Sequence, residues 1–169
     1  MSESPRLGSG AGRIVRVVAD ASAVSQALAE VILQQVTDAP DTTLGTATGS
    51  SPAGAYRALT AFADPMLFQG VSTYALDEYV GLTGDDPRSY RMEITRLLTE
   101  PLGIAPHRVH SPDPSDPSGF DARIRALGGV DLQILGIGRN GHIAFNEPGS
   151  SMDSVTRVVP LAAATRVDN

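Results

Sequence analysis

Cysteine and lysine are both absent from this chain of 169 residues. Without cysteine, disulfides, thiolate nucleophiles and cysteine-based metal sites are excluded. All 13 basic residues are arginines, so a lysine Schiff base, a pyridoxal-phosphate lysine and a P-loop lysine are excluded as well. An anionic ligand would therefore be held by arginines and backbone N–H groups.

Long apolar runs and basic runs are missing too. The apolar runs are far too short to cross a bilayer, and residues 1–12 lack the apolar stretch of a signal peptide. The net charge is −6, which together with the lack of a basic run argues against a nucleic-acid surface. We therefore expect a cytoplasmic protein that binds neither membranes nor nucleic acid.

The apolar pattern divides the chain into alternating strands and helices. Alternation of this kind is typical of βαβ units, so we predict a three-layer, Rossmann-like α/β fold, in which a mostly parallel sheet has helices on both faces. Helical spacing also predicts a first helix with its N-cap at Ser22. The other predicted helices span residues 52–62, 88–100 and 120–127. The predicted strands span residues 13–19, 42–47, 71–76, 108–110 and 130–135.

A single domain is expected from residue 13 to residue 169. This length is sufficient for one hydrophobic core, and no linker or repeat interrupts it. Residues 1–12, rich in Ser and Gly, are predicted to form a disordered tail. The chain ends at Asn169, shortly after its most polar loop, which leads us to expect that the C-terminal elements of the fold are lacking.

Three polar loops follow predicted strands, and the first is the hydroxyl loop, residues 48–52 (T-G-S-S-P). Ser51 is predicted as the N-cap of the helix that comes next. Thr48, Ser50 and Ser51 offer hydroxyls, and Gly49 lets the backbone come close to a ligand. A helix N-terminus binds anions, but the same residues would also form a capped turn without any ligand. The loop alone leaves both interpretations open.

The second is the acidic loop, residues 77–81 (D-E-Y-V-G), directly after the strand predicted at 71–76. Two adjacent acids at the C-terminal end of a strand can include a general base. Without such a role, Asp77 would cap a turn and Glu78 would be solvated. The pattern favours neither interpretation.

The third is the glycine loop, residues 136–149 (G-I-G-R-N-G-H-I-A-F-N-E-P-G). Loops in this position carry the sites of open α/β sheets. One interpretation is an acid–base loop in which His142 moves protons and Glu147 orients or assists it. The other is a structural histidine. One His and one Glu make a poor metal site, so no metal is expected.

The glycines of this loop also match the dinucleotide-binding pattern G-x-G-x-x-G. They follow the last predicted strand, however, and no amphipathic helix comes after them. No acid lies between Ser154 and Val167, where a ribose-binding acid would be expected. A dinucleotide cofactor is therefore not expected.

At these three loops the sequence resembles the glucosamine-6-phosphate deaminase (isomerase) family. The segments T-G-S-S-P, L-D-E-Y-V-G-L and G-I-G-R-N-G-H-I-A-F-N-E-P-G-S-S are similar to those of the family in order and approximate spacing. The resemblance runs from about Arg13 to Asn169. It implies conversion of glucosamine 6-phosphate and water to fructose 6-phosphate and ammonia, with no metal and no organic cofactor.

The resemblance also implies a role for each loop. Asp77 would take the proton from C2 of the sugar and return it at C1. His142 would open the sugar ring by moving a proton between O1 and O5, and Glu147 and Asn140 would support that step. The phosphate would be held by the residues Thr48, Gly49, Ser50 and Ser51.

The chain departs from the family at two positions. Asn140 stands where some relatives have Asp; an amide is no base but can orient His142 by hydrogen bonding, so we expect a tuned ring-opening step. Some relatives are hexamers activated by N-acetylglucosamine 6-phosphate, and the resemblance therefore allows a homo-oligomer. Val159 stands where that allosteric site is expected to have a lysine. The residues that match the allosteric site are Ser150, Ser151 and Arg157.

Two alternatives to a deaminase stay open. The 6-phosphogluconolactonases share the fold and a similar glycine-rich loop; a lactonase would release acid from a lactone, and Asp77→Asn would not affect that activity. A non-catalytic sugar-phosphate-binding module would instead be stabilised by its ligand without turnover.

Overall fold

A parallel four-stranded sheet of order β3–β2–β1–β4 forms the centre of the computed structural model, which describes residues 14–168. Every pair of neighbouring strands is parallel. The predicted α/β class is therefore confirmed, while the predicted tail, residues 1–12, lies outside the described residues. The strands are β1 (Thr43–Thr46), β2 (Ser72–Ala75), β3 (Val109–His110) and β4 (Leu132–Gln133).

The helices alternate with these strands, and side chains at their first residues set where they begin. The predicted N-cap Ser22 is wrong, because Asp20 caps α1 by accepting the N–H of Ala23 at 2.8 Å. Ser89 caps α3, and a single π-helical turn at Thr95–Thr99 continues that helix. The helices are α1 (Ala21–Asp38), α2 (Ser50–Thr60), α3 (Tyr90–Ile94), α4 (Pro117–Ala126) and α5 (Ala163–Asp168).

The register of the sheet separates its two faces. Leu44, Thr73 and Val109 are partners across β1, β2 and β3, and their face joins the main core with α1 and α2. On the other face the Tyr74 ring stacks on His110, with ring centroids 4.4 Å apart, and contacts Phe120 of α4 at 5.6 Å. Successive strand residues point to opposite faces, so helices cover both sides of the sheet as predicted.

Tyr56 ties α2 to the carboxyl end of β1. Its buried hydroxyl accepts the N–H of Ala47 at 3.2 Å and donates to the carbonyl of Ala47 at 2.9 Å. Burial raises the pKa of the Tyr56 phenol, so it stays protonated and can donate. This contact fixes the start of α2 beside the residues that follow β1.

We expect Tyr56→Phe to lower the free energy of unfolding by about 1–3 kcal/mol, because the buried polar atoms of Ala47 lose their partner. Urea unfolding would measure this loss. Thr60→Val is a suitable control, since the Thr60 hydroxyl bonds only within its own helix, at 3.2 Å from the Arg57 carbonyl; it should change stability by less than about 0.5 kcal/mol. Equal effects of the two substitutions would contradict the expected tie.

The strand predicted at residues 13–19 is wrong for the part that the structure describes. Residues 14–18 form no ladder, and the side chains of Val15 and Val17 are 83% and 89% exposed. An apolar alternation becomes a strand only where a neighbouring strand accepts its backbone hydrogen bonds. Within residues 14–168, β1 already has β2 on one side and β4 on the other, so this segment has no place next to it.

Candidate active site

Three loops meet where the parallel strands end. The hydroxyl loop follows β1, the acidic loop follows β2 and the glycine loop follows β4, and β1 lies between the other two strands. A cleft of about 380 Å³ opens between them. It brings together six of the predicted site residues: Thr48, Gly49, Ser50, Ser51, Asp77 and His142.

The hydroxyl loop presents the start of α2 to this cleft. The predicted N-cap Ser51 is wrong: Gly49 occupies that position, with a φ of 106°, and α2 begins at Ser50. A left-handed φ of this kind costs glycine little, which explains the residue type. No side chain caps α2 with a hydrogen bond. The first N–H groups of a helix have no partner within it and lie at the positive end of its dipole, so the arrangement suits an anion.

Asp77 enters the same cleft from the end of β2. Its carboxylate accepts the backbone N–H of Phe145 in the glycine loop. Burial and the neighbouring charge of Glu78 nevertheless raise the pKa of Asp77 to about 7. A carboxyl group that titrates near neutral pH is suited to accept and return a proton.

Glu78 does not line that cleft and instead holds the start of α3. Its carboxylate accepts three backbone N–H groups, from Tyr79 at 2.9 Å, Tyr90 at 3.0 Å and Arg91 at 2.9 Å. A solvated Glu78 is therefore wrong. The two adjacent acids therefore have separate places: Asp77 lines the cleft, and Glu78 holds the start of α3.

Tyr90 lines the cleft as well, although it was not among the site residues predicted from the sequence. Its hydroxyl lies 3.2 Å from the Tyr79 hydroxyl, and its side chain also bonds with that of Thr48. Its ring contacts Phe145, with centroids 5.6 Å apart. Burial raises the pKa of Tyr90, so the phenol stays neutral and can donate. In the sequence, Tyr90 is recognisable only as the residue after a helix-capping serine. That pattern does not indicate that its side chain lines a cleft.

A tight turn in the glycine loop brings the Phe145 N–H to Asp77. Ile143 and Asn146 exchange backbone hydrogen bonds of 3.1 and 3.0 Å, and Ala144 between them has a φ of 52°. A left-handed alanine is uncommon and holds only where its surroundings impose it. The turn therefore sets the distance between the acidic loop and the glycine loop.

Gly138 provides the space that the His142 imidazole occupies. A Cβ atom at Gly138 would lie 2.1 Å from Cε1 of His142. The backbone also links the two residues, because the Gly138 N–H donates to the His142 carbonyl at 2.9 Å. Gly138, the second glycine of the loop, thus both leaves room for the His142 ring and bonds to the His142 backbone.

We expect Gly138→Ala to displace the imidazole and to lower the rate of any reaction that depends on it by about 10²-fold. Gly136→Ala is the matched control, since an added Cβ there meets nothing within 4 Å. Turnover of both variants, with the imidazole NMR signals of His142 as a check on its position, would measure the effect. Equal rates in the two variants would contradict this account of Gly138.

Asn140 and Glu147 lie behind His142 in a hydrogen-bonded series. The Oδ1 atom of Asn140 lies 2.6 Å from Nδ1 of His142, and its Nδ2 atom donates to Oε2 of Glu147 at 2.9 Å. Because a carboxylate only accepts, the amide oxygen must face the imidazole, and His142 Nδ1 must carry the proton. Nε2 is then the basic nitrogen of the neutral ring.

The Glu147 carboxylate is kept ionised by its partners. The hydroxyl of Thr165 donates to Oε1 at 2.6 Å, and the Ala162 N–H donates to the same oxygen at 3.0 Å. These bonds, first that of Thr165, lower the pKa of Glu147, with smaller contributions from Asn140 and His142. Thr165 was not predicted as a site residue, because nothing in the A-A-A-T-R stretch of the sequence marks it.

The three predicted allosteric residues line a neighbouring groove of about 700 Å³, which also borders Asp77 and Val159. Ser151 accepts the N–H of Asp153 at 3.2 Å, and Arg157 is exposed, with Nη1 3.3 Å from the Val155 carbonyl. The residues concerned are Ser150, Ser151 and Arg157.

Among residues 14–168, no three His, Asp or Glu side chains lie close enough together to hold a metal ion. No helix in that range is both long and apolar enough to cross a membrane.

The sequence matches a family model over most of its length. The model, described as glucosamine-6-phosphate isomerases/6-phosphogluconolactonase, matches residues 19–165. A glucosamine-6-phosphate deaminase of Shewanella loihica is 43% identical, over 90% of this chain and 60% of the relative. One of Pseudarthrobacter chlorophenolicus is 46% identical, over 86% of this chain and 59% of the relative. The chain thus spans about three fifths of the length of these relatives.

Two solved structures are also similar to this chain. A structure described as a monomeric glucosamine-6-phosphate deaminase superposes with a TM-score of 0.83 at 38% identity, covering 89% of this chain and 66% of that one. A 6-phosphogluconolactonase of Plasmodium vivax superposes with a TM-score of 0.63 at 22% identity, covering 76% and 50%. The second likeness concerns the fold alone.

Proposed function

The chain belongs to the glucosamine-6-phosphate isomerase/6-phosphogluconolactonase family, and on that premise we propose that it is a glucosamine-6-phosphate deaminase. One observation carries the proposal: a carboxyl group with a pKa of about 7, a histidine with a free basic nitrogen and an uncapped helix start share one cleft. Glucosamine 6-phosphate offers a proton beside a carbonyl, a ring to open and a phosphate, which match these three features.

Ring opening falls to His142. With the Nδ1 proton directed to Asn140, the Nε2 atom is the one that takes the proton from O1 of the closed sugar and delivers it to O5. An imidazole suits this task because it exchanges protons near neutral pH. Glu147 accepts from the Asn140 amide at 2.9 Å and so holds the group that orients the ring.

Isomerisation falls to Asp77. In the open-chain sugar its carboxylate removes the proton from C2 while the O1 carbonyl oxygen takes up a proton from solvent, which gives an enolamine. The same carboxyl group then returns its proton to C1, which leaves an iminium group at C2. Water then replaces the amine at C2, which leaves fructose 6-phosphate and ammonia. No lysine takes part, in keeping with its absence from the sequence.

The hydroxyl loop is the candidate phosphate site. Thr48, Ser50 and Ser51 supply hydroxyls, Gly49 permits close approach, and the start of α2 supplies N–H groups and a positive dipole end. A phosphate held here would place the sugar between Asp77 and His142, which line the same cleft.

Regulation, assembly and location belong to the same proposal. Ser150, Ser151 and Arg157 would contribute to an activator site, while Val159 supplies no charge for an anionic activator. A homo-oligomer stays a prediction that light scattering would test; the solved relative is described as monomeric. A cytoplasmic location likewise stays a prediction, to be tested by cell fractionation.

The test is to incubate the 169-residue chain with glucosamine 6-phosphate and to measure both ammonia and fructose 6-phosphate. We expect equal amounts of the two products. Asp77→Asn is the matched inactive control. Acid release from 6-phosphogluconolactone without ammonia from the amino sugar would overturn the proposal in favour of a lactonase. Stabilisation by glucosamine 6-phosphate without any product would overturn it in favour of a binding module.

A further inference from the structure

Thr165 closes the hydrogen-bonded series behind His142. It is fully buried, although it lies on the short helix α5, more than twenty residues along the chain from the histidine. Its Oγ1 atom lies 2.6 Å from Oε1 of Glu147, 3.3 Å from Nδ1 of His142 and 3.4 Å from Nδ2 of Asn140. One hydroxyl thus contacts all three members of the series.

The proton directions around this hydroxyl are determined. A carboxylate can only accept, so the Thr165 hydroxyl donates its single proton to Glu147. Its lone pairs are then left to accept from the N–H groups of His142 and Asn140. A hydroxyl in this position opposes rotation of the Asn140 amide, because a rotated amide would place its oxygen towards the carboxylate and towards an oxygen lone pair.

We propose that Thr165 is a positioning residue that fixes Glu147 and Asn140, so that His142 keeps its proton on Nδ1 and presents Nε2 to the sugar. The inference rests on the proposed function for its catalytic consequence, but its structural part does not. The backbone of α5 acts in the same direction, because the Ala162 N–H donates to the same oxygen of Glu147 at 3.0 Å.

Two substitutions separate the hydroxyl from the packing of the side chain. Thr165→Val keeps the shape and removes the hydroxyl, whereas Thr165→Ser keeps the hydroxyl and removes a methyl group. A role in packing alone predicts that Thr165→Val resembles the wild type and that Thr165→Ser is the more damaging. A positioning role predicts the reverse.

The first measurement needs no turnover. ¹⁵N NMR of the imidazole reports the tautomer of His142, and ¹³C NMR reports titration of the Glu147 carboxyl; His142→Gln and Glu147→Gln assign the signals. In the wild type and in Thr165→Ser we expect the Nδ1-protonated tautomer and a lowered pKa of Glu147. In Thr165→Val we expect a mixture of tautomers and an upward shift of that pKa. An unchanged tautomer and an unchanged pKa in Thr165→Val would overturn the proposal.

The second measurement is the pH profile of ammonia release. We expect Thr165→Val to lower kcat about 10-fold, the effect of losing one hydrogen bond to a charged group, with KM changed less than about twofold. The acidic limb should stay where ionisation of Asp77 sets it, near pH 7, and Thr165→Ser should restore kcat. A change confined to KM would overturn the positioning role. Absence of ammonia from the wild-type chain would instead overturn the proposed function, and the NMR measurement would still decide the role of Thr165.

Discussion

Asp77→Asn is expected to lower kcat for ammonia release by about 10²–10⁴-fold, the usual contribution of a general base, while KM changes little. Asparagine has the shape of aspartate and can still accept the Phe145 N–H, but it cannot take a proton from carbon. Steady-state kinetics on glucosamine 6-phosphate would measure the loss. Turnover of the variant near the wild-type rate would remove Asp77 as the base.

The pH dependence gives this prediction a second test. The base must be ionised, so the wild-type rate should rise with pH and level off above a pKa of about 7. Stability should change in the opposite direction. The folded-state pKa lies above the ordinary value of 3.8, so the stabilising contribution of the protonated carboxyl is complete below pH 3.8 and is lost as the pH rises through about 7.

The size of that stability change follows from the same two pKa values. They differ by about three units, and each unit corresponds to about 1.4 kcal/mol, so the change amounts to at most about 4 kcal/mol. Asp77→Asn has no carboxyl to ionise. The stability of the variant relative to the wild type should therefore improve between pH 4 and pH 8, as urea unfolding at both pH values would measure. A constant difference would contradict the raised pKa.

His142→Gln is expected to lower the rate on glucosamine 6-phosphate by about 10²–10³-fold. Glutamine can fill the space and form hydrogen bonds, but it cannot carry a proton from O1 to O5. An open-chain analogue that cannot close its ring needs no such transfer, so its turnover should fall much less. Kinetics with the two substrates would separate ring opening from isomerisation.

The matched control for this prediction is His107→Gln. His107 is exposed and does not line the cleft, so its replacement should leave both rates within about twofold of the wild type. Equal losses on the closed and open substrates in His142→Gln would contradict a ring-opening role and would point to a general disturbance of the glycine loop.

Local pattern determined much of the fold. Short apolar runs between segments of helical periodicity placed the ends of β1, β2, β3 and β4 within two residues of where they are observed, and βαβ alternation implied the parallel sheet. The same local logic identified the three loops, because the ends of parallel strands gather polar residues at one edge. The family resemblance then implied that the hydroxyl loop, Asp77 and His142 act on one substrate.

Local pattern failed where the outcome depended on distant partners. Residues 14–18 have a strand-like alternation but no neighbouring strand. The sequence left open whether Glu78 is solvated, because its backbone partners lie up to thirteen residues away along the chain. The N-caps are Asp20 and Gly49 and not the predicted Ser22 and Ser51. Which residue caps a helix depends on the direction in which the preceding chain enters it.

The sequence by itself determined the kinds of chemical group at this site: carboxylates, an imidazole, an amide and hydroxyls, with no thiol and no amine from lysine. Only the tertiary structure decided their states. Burial beside Glu78 raises the pKa of Asp77, and Thr165 orders the proton positions from Glu147 to His142. Those effects depend on distances of a few ångströms and on exclusion of water, which no spacing along the chain can specify.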